Sequence, residues 1–257
     1  NSLNGDFKIV SNASYLYYGG IYDYNDSEFR GFNIVNETLS DKSITSHYFH
    51  QSKQLKGKEY RTESFDSSNN IYSKTENNFN FTNRNYSFIV NLLSSASYTF
   101  DGNSLNPKII NVSFQYDNYS NIINKIQYGD ISINGDEKYE NYSYAYNISS
   151  WIVDKVSWYV LFNAEQNKIR ESKYFYDNHE YGSPPSKGDL TKTEQWLDTG
   201  GGNIFNYYQY DDFGNLYRQT DALGRTTTRD YGIRDDTNTY PDRITNALGH
   251  AIDYTYD

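Results

Sequence analysis

The sequence predicts an all-β fold in which consecutive antiparallel β-hairpins join into one long, curved or spiralling sheet. Three observations carry this. Strand formers and turn formers abound together: 29 Tyr and 14 Phe stand beside many Gly, Asn and Asp, with four Pro among 257 residues. Short aromatic-Asp phrases recur along the chain. Between them, residues alternate with the period of two that a pleated strand imposes.

In chain order, Asp23-Tyr-Asn-Asp-Ser-Glu28 is an oxygen-rich loop. Counted from Asp23, positions six and twelve are Glu28 and Ile34, not the Gly and Glu of an EF-hand, so a solvated turn is expected, with calcium as the alternative. SITSHYFHQ follows and has strand composition. FDSSNNIYSKTE (65–76) is the first clear hairpin phrase, with Phe65, Asp66 and Asn70 in its turn. Phe79 and Phe81 alternate with polar residues, and SFIVNLLSSAS (87–97) reads as strand. YDNYSNIINKIQ (116–127) repeats the phrase with Tyr116, Asp117 and Asn121. In NYSYAYNIS, Tyr142, Tyr144, Tyr146 and Ile148 share one face. NHEYGSPPSKGDL (178–190) holds two of the four prolines and reads as a surface loop, and LDTGGGN (197–203) as a glycine turn.

The repeats sharpen from residue 205. YDDFGNLYRQTD (210–221) carries Tyr210, Asp211, Gly214 and Asn215. Asp221-Ala-Leu-Gly224-Arg225 returns as Asn246-Ala-Leu-Gly249-His250. The sequence stops on Tyr256-Asp257, the opening of another unit, and does not begin with Met, so a longer parent is expected. The domain reading is a degenerate β region over 1–204 and regular repeats over 205–257.

One unit has a direct physical account. The aromatic residue ends an incoming strand. Asp accepts hydrogen bonds from turn N–H groups. Gly or Asn supplies the positive φ of a tight hairpin. Leu or Ile then opens the outgoing strand.

Composition excludes several functions. Net charge is −10, which repels a phosphate backbone, so nucleic-acid binding is not expected. Without Cys there is no thiol chemistry and no Cys-ligated zinc. No stretch has the roughly 18 apolar residues of a membrane-spanning helix, and WIVDKVSWYVLF (151–162) is broken by Asp154 and Lys155. Asp198-Thr-Gly200 matches a short aspartic-protease signature but lacks a second copy to share the proton. His47 and His50 lie three apart in a strand-like segment, on opposite faces, so they do not form a metal pair. The expectation is therefore no enzyme, no cofactor and no metal. Tyr stripes beside acids leave a second reading open: an extracellular adhesion or carbohydrate-binding domain with glycans as partners.

Tyr210-Asp-Asp-Phe-Gly-Asn215, then Asp221-Ala-Leu-Gly-Arg-Thr-Thr227, resembles the YD repeat of Rhs proteins. The series Tyr18-Gly-Gly-Ile-Tyr-Asp23, Glu28-Phe-Arg-Gly-Phe32, Tyr48-Phe-His50 and Leu55-Lys-Gly57 resembles the middle region of the B component of bacterial ABC-type insecticidal toxin complexes. Gly188-Asp-Leu-Thr-Lys192 and Trp196-Leu-Asp-Thr199 fit the same family. The resemblance implies a secreted or surface-exposed bacterial protein and a β-shell that, with the Rhs part of a C component, encloses an unfolded toxic segment. The self-cleaving protease of that family belongs to the C component. No catalytic residue carries over to this chain. Asn69 and Ser120 replace the repeat's Gly, and the tract 77–110 departs from the pattern.

Overall fold

A computed structural model describes residues 12–85, 87–101, 105–233 and 237–256. Asp257, the last of the expected repeat residues, lies outside them. Every regular element among the described residues is a strand. The chain divides into two compact units, residues 1–116 with 125–138, and residues 117–124 with 139–257.

The first unit contains β1 (Ala13–Tyr18), the short pair β2 (Tyr22–Asp23) and β3 (Glu28–Phe29), β4 (Ile34–Leu39), β5 (Ile44–Phe49), β6 (Glu59–Phe65), β7 (Ile71–Arg84), β8 (Ser87–Thr99) and β9 (Lys108–Tyr116). β1 lies antiparallel to β4, and from β4 to β9 each strand lies antiparallel to the next. β10 (Ile122–Asp130) contributes residues to both units. The second unit then builds β11 (Lys138–Asn147), β12 (Ile152–Phe162), β13 (Lys168–Tyr176), β14 (Leu190–Gln195), β15 (Ile204–Tyr210), β16 (Leu216–Thr220), β17 (Thr226–Tyr231), β18 (Pro241–Thr245) and β19 (Ala251–Asp253). Here too each strand is antiparallel to its successor. The 87–97 tract is strand as expected. One expectation fails at its end: Ile148 does not continue the Tyr142 face, because β11 stops at Asn147 and Ile148 is 62% exposed in the turn beyond. The Asn147 amide oxygen accepts from Ser150 N–H and Ser149 Oγ–H, which turns the chain away from the strand.

Few apolar side chains are fully buried. Ala145 and Val160 are, but so are Ser46, Glu140, Ser157, Ser172, Thr191, Thr193 and Asp242. Apolar area is instead carried by half-exposed rings in contact, as at Tyr142 and Tyr159, with centroids 5.1 Å apart, or Tyr119 and Tyr146, 5.5 Å apart. Lysine stems cover other rings: Lys192 Nζ lies 4.4 Å from the Phe175 centroid and 4.6 Å from that of Phe205.

The strands are not simple ladders. The register skips one residue at Tyr60, Tyr72, Leu93, Ser157, Ile169, Thr191, Tyr217 and Asp242, each a β-bulge. At four of them, Leu93, Ser157, Tyr217 and Asp242, the carbonyl of the preceding residue receives a tyrosine hydroxyl from further along the chain. Tyr116 donates to Leu92 O at 2.8 Å, Tyr176 to Val156 O at 2.8 Å, Tyr231 to Leu216 O at 3.3 Å and Tyr256 to Pro241 O at 2.8 Å. Tyr144 donates likewise to Ile122 O at 2.8 Å. A bulge interrupts the ladder, and a ring laid across it supplies a donor beside the interruption. Phenylalanine would cover the same area but leave that carbonyl without the hydroxyl.

Burial raises the pKa of these hydroxyls, that of Tyr176 to about 12. The folded state therefore holds its phenol protons more tightly than the unfolded chain, which titrates near 10. That contribution is complete below pH of about 10 and is lost as the pH climbs toward about 12. Urea denaturation is expected to show stability falling across this alkaline window, and falling less in Tyr176→Phe. At neutral pH, Tyr176→Phe and Tyr231→Phe are each expected to cost about 1 kcal/mol, while Tyr207→Phe, 48% exposed, changes little. Equal midpoints for all three variants would contradict the bulge–hydroxyl pairing.

Candidate functional site

The repeated turn is the feature that the sequence singled out. At 66–70, 117–121, 211–215, 221–225 and 246–250 the backbone closes in one way. The first residue donates its N–H to the carbonyl of the fifth, and the fourth donates back to the carbonyl of the first, at 2.9–3.2 Å throughout. This is the three-residue hairpin loop with a left-handed fourth residue. Its φ is +65° at Asn69, +69° at Ser120, +85° at Gly214, +77° at Gly224 and +81° at Gly249. Asn69 and Ser120 thus adopt the glycine conformation at the positions where the repeat's Gly is replaced. The Tyr-Asp and Asp-Ala-Leu-Gly phrases, which look like two motifs in sequence, are one turn.

The first side chain locks it. Asp211 Oδ1 accepts from Phe213 N at 2.9 Å and Asn215 N at 2.8 Å, and Asp66, Asp117, Asp221 and Asn246 do the same within their own turns. The second oxygen takes the fifth side chain: Asn70 at 3.0 Å, Asn121 at 2.8 Å, Asn215 at 3.1 Å, or Arg225 Nε at 2.7 Å. Two of these asparagines also reach later turns and strands. Asn121 Nδ2 donates to Val153 O at 2.6 Å and Asn215 Nδ2 to Asn238 O at 2.8 Å. Asp117 further accepts the Tyr146 hydroxyl at 2.6 Å. Burial alone would raise the Asp117 pKa, but the bonds from Tyr146, Asn121 and the turn N–H groups outweigh it and hold it below the usual carboxylate range.

Three further turns of this kind escaped sequence reading. At 163–167 the backbone frame is the same, with Asn163 in the Asp place and Gln166 at φ +62°. At 39–43 it recurs around Lys42, φ +70°, and Asp41 caps Ser43 N at 2.9 Å. Tyr176-Asp177 opens a longer version, whose carboxylate gathers the N–H groups of Ser186, Lys187, Gly188 and Asp189 at 2.6–3.1 Å. The 178–190 loop is therefore tied down, with Pro185 buried and its carbonyl bonded to Asn147 Nδ2 at 2.7 Å. The Tyr-Asp dipeptide was the available signal; its closing residue, Asp189, lies too far along to be recognised by spacing.

The acidic loop meets expectation in part. Residues 24–27 form an exposed turn, in which Asp23 Oδ1 accepts from Asn25 N at 2.9 Å and Asp26 N at 3.2 Å, but the carboxylates of Asp23, Asp26 and Glu28 are not left to solvent. They surround Arg30, whose side chain is 3% exposed and pairs with Asp23 at 3.1 Å, with Glu28 at 2.6 Å and with Asp26. Lys53 adds a bond to Asp26 at 2.7 Å, and Lys56 pairs with Glu28. The guanidinium takes the central position that a cation would need. The surrounding motif residues converge here. Gln51 Nε2 bridges Gly19 O at 2.6 Å and Gly31 O at 2.9 Å, and Phe32 packs on Phe29 and Tyr17. Gly20 is constrained by that packing: a Cβ there would lie 3.1 Å from the Phe32 ring.

His47 Nδ1 sits 2.6 Å from Glu59, whereas His50 packs on Tyr60, 4.8 Å between centroids. Asp198 lies in the turn before β15, where Gly200 and Gly202 have φ of +68° and +87°. Among the described residues, no group of three or more His, Asp or Glu is placed to hold a metal ion. No helix among the described residues is long and apolar enough to cross a membrane.

Solved structures share this architecture. The chain superposes on a crystal structure of TcdB2-TccC3-Cdc42 with a TM-score of 0.66 at 12% identity over 96% of its length. For TcdB2-TccC3 without its hypervariable C-terminal region the values are 0.65, 13% and 96%, and for the Photorhabdus luminescens Tc holotoxin pore with a TccC3 mutation 0.64, 12% and 94%. The fold is that of the Rhs-repeat shell. The chain spans 21% of the length of each of these Tc toxin chains. No protein-family model matches the sequence, and no curated protein does. In this Rhs-type fold the sequence-predicted turn residues occupy equivalent places in successive hairpins, while the Arg30 cluster is a separate local structure in the first unit.

Two predictions follow from this geometry. Asp117→Ala is expected to cost about 3 kcal/mol, because it strips bonds from Tyr146, Asn121 and two turn N–H groups at once. Asp211→Ala is more exposed and should cost about 1 kcal/mol. Gly214→Val should cost about 1–2 kcal/mol through φ alone, since nothing lies within 4 Å of the new Cβ. Chemical denaturation of the three variants tests that order. Separately, Arg30→Ala should leave three carboxylates facing one another, so millimolar calcium is expected to raise its melting temperature and leave the wild type unmoved. A variant indifferent to calcium would show that the carboxylates do not form a cation-sized ring.

Proposed function

We propose that this chain is a length of wall in an Rhs-type shell that encloses a toxic polypeptide for delivery, and that it acts as structural material without catalysis. The observation that carries the reading is the shared backbone over 96% of the chain with Tc toxin structures. The turn chemistry supports it. A wall must extend by adding hairpins edge to edge, and here the repeated turns are closed by their own Asp or Asn, with Tyr hydroxyls tying adjacent strands and Asn amides reaching later ones. Asp198, the one residue with a protease-like context, sits in a glycine-rich turn before a strand.

In this reading the partners are the remainder of a longer chain and a C-component-like Rhs subunit carrying the toxin. The protein works outside the bacterial cell. The test is protease protection. The full-length parent is co-expressed with its companion subunit carrying an unfolded reporter at the toxin position, then treated with trypsin. The reporter is expected to survive in the assembled pair and to be degraded once the pair is denatured. Digestion of the reporter at the same rate in both states would refute encapsulation.

A further inference from the structure

A cavity of about 730 Å³ opens on one face of β11–β15 in the second unit. Its floor is tyrosine: Tyr142, Tyr159, Tyr174, Tyr176 and Tyr210. Its polar groups are Asp154, Lys155 and Asp189. The volume lies within the roughly 300–1,000 Å³ of ordinary small-molecule sites.

Three of the five hydroxyls are committed to the protein: Tyr142 to Glu140 at 2.6 Å, Tyr159 to the same carboxylate, and Tyr176 to Val156 O at 2.8 Å. Those of Tyr174 and Tyr210 make none of the hydrogen bonds seen among the described residues. Tyr210 lies close enough to Asp189 for that charge, after burial, to raise its pKa. The Asp154 side chain is 71% exposed and stands 3.9 Å from Lys155 Nζ. The position of Lys155 is fixed by a glycine: a Cβ on Gly188 would come within 2.6 Å of Lys155 Cε, so Gly188 admits the lysine stem across it.

The neighbouring rings show what distinguishes this floor. Phe175, between Tyr174 and Tyr176 on β13, points to the other face of the strand and is covered by Lys192. Trp196 is covered by Lys168, with Nζ 4.1 Å from the ring centroid. No lysine lies over the five tyrosine rings of the cavity in this way.

We propose that the cavity binds a neutral pyranoside, stacked on the tyrosine floor with its hydroxyls shared among Asp154, Lys155 and Asp189. A sugar ring presents C–H groups on its faces and, at its edge, hydroxyls that both donate and accept. Such a ligand uses ring faces, carboxylate acceptors and an ammonium donor together. A cationic side chain would meet Lys155 in the same space, and an anion would meet two carboxylates. The inference stands on the second unit alone and does not depend on the shell reading.

The test titrates the whole 257-residue chain with neutral trisaccharides of glucose, galactose, mannose and N-acetylglucosamine, read by calorimetry and by NMR. Lysine-rich and glutamate-rich peptides are run in parallel. At least one sugar is expected to bind saturably, and Tyr174→Ala and Asp189→Asn are each expected to weaken it about tenfold or more. Melting curves check that the variants fold. Should Tyr174→Ala unfold, Asp189→Asn and Lys155→Gln decide the matter, since both side chains stand at the polar edge of the cavity. The proposal is overturned if no sugar saturates, if the folded variants bind as the wild type does, or if a charged peptide binds in the sugars' place.

Discussion

The side-chain oxygen that opens each turn is the interaction on which the rest of the sheet depends. A hairpin in water is marginal on its own, because closing it orders the backbone before much surface is buried. Here the first oxygen of Asp or Asn satisfies two turn N–H groups, and its partner at the fifth position fixes the second oxygen. Each bond contributes only on the order of 1 kcal/mol. They act together at the point where the chain reverses, so they set strand register locally. A sheet in which, among the described residues of its strands, only Ala145 and Val160 are buried apolar side chains needs that local source of order.

Turns alone would give separate hairpins. Two kinds of side chain tie strands together beside the backbone ladder. Tyrosine crosses a bulge and donates to the carbonyl beside it, so its ring and its hydroxyl act on a neighbouring strand at once. Asparagine at the fifth position faces its own Asp and also bonds a later carbonyl, as Asn121 does with Val153 and Asn215 with Asn238. The same two residue types that look like generic strand and turn formers therefore carry the coupling between units. This explains a composition of 29 Tyr in a chain with so little oily core.

The turns were legible in sequence because their chemistry is local. Asp211, Gly214 and Asn215 lie within five residues, and each residue type has one evident task. Legibility failed where the same task was done by another residue or over another distance. Asn163 replaces Asp, Lys42 and Gln166 replace Gly, and Asp177 closes on Asp189 across a loop of variable length. The bulge–tyrosine pairs were hidden for a different reason. Donor and acceptor sit on adjacent strands or just beyond them, 15 to 24 residues apart in sequence, so no fixed period reveals them. The Arg30 cluster was missed because charge in a loop is normally solvated. That Asp23, Asp26 and Glu28 bend around a guanidinium follows from where Gly19, Gly31 and Gln51 place the backbone, which the acids themselves do not announce.

This division of labour bears on how one fold persists at 12% identity over 96% of the chain. The frame asks for a short-chain oxygen, at the first turn position or, as with Asp41 at 39–43, at the third, and a residue tolerant of positive φ at the fourth. Asp and Asn both meet the first demand here, and Gly, Asn, Ser, Lys and Gln all meet the second. Substitution of Gly by an L-residue at such a φ costs about 1–2 kcal/mol, which a turn retaining its Asp bonds offsets in part. Between turns, a strand with both faces half exposed asks for little beyond pleat-compatible side chains. Constraint is thus confined to a few positions per hairpin and is relaxed even there. A tightly packed core would have tied each side chain to several others and made the same drift destabilising. An open, hydrogen-bonded sheet lets hairpins diverge one at a time while the path of the backbone stays the same.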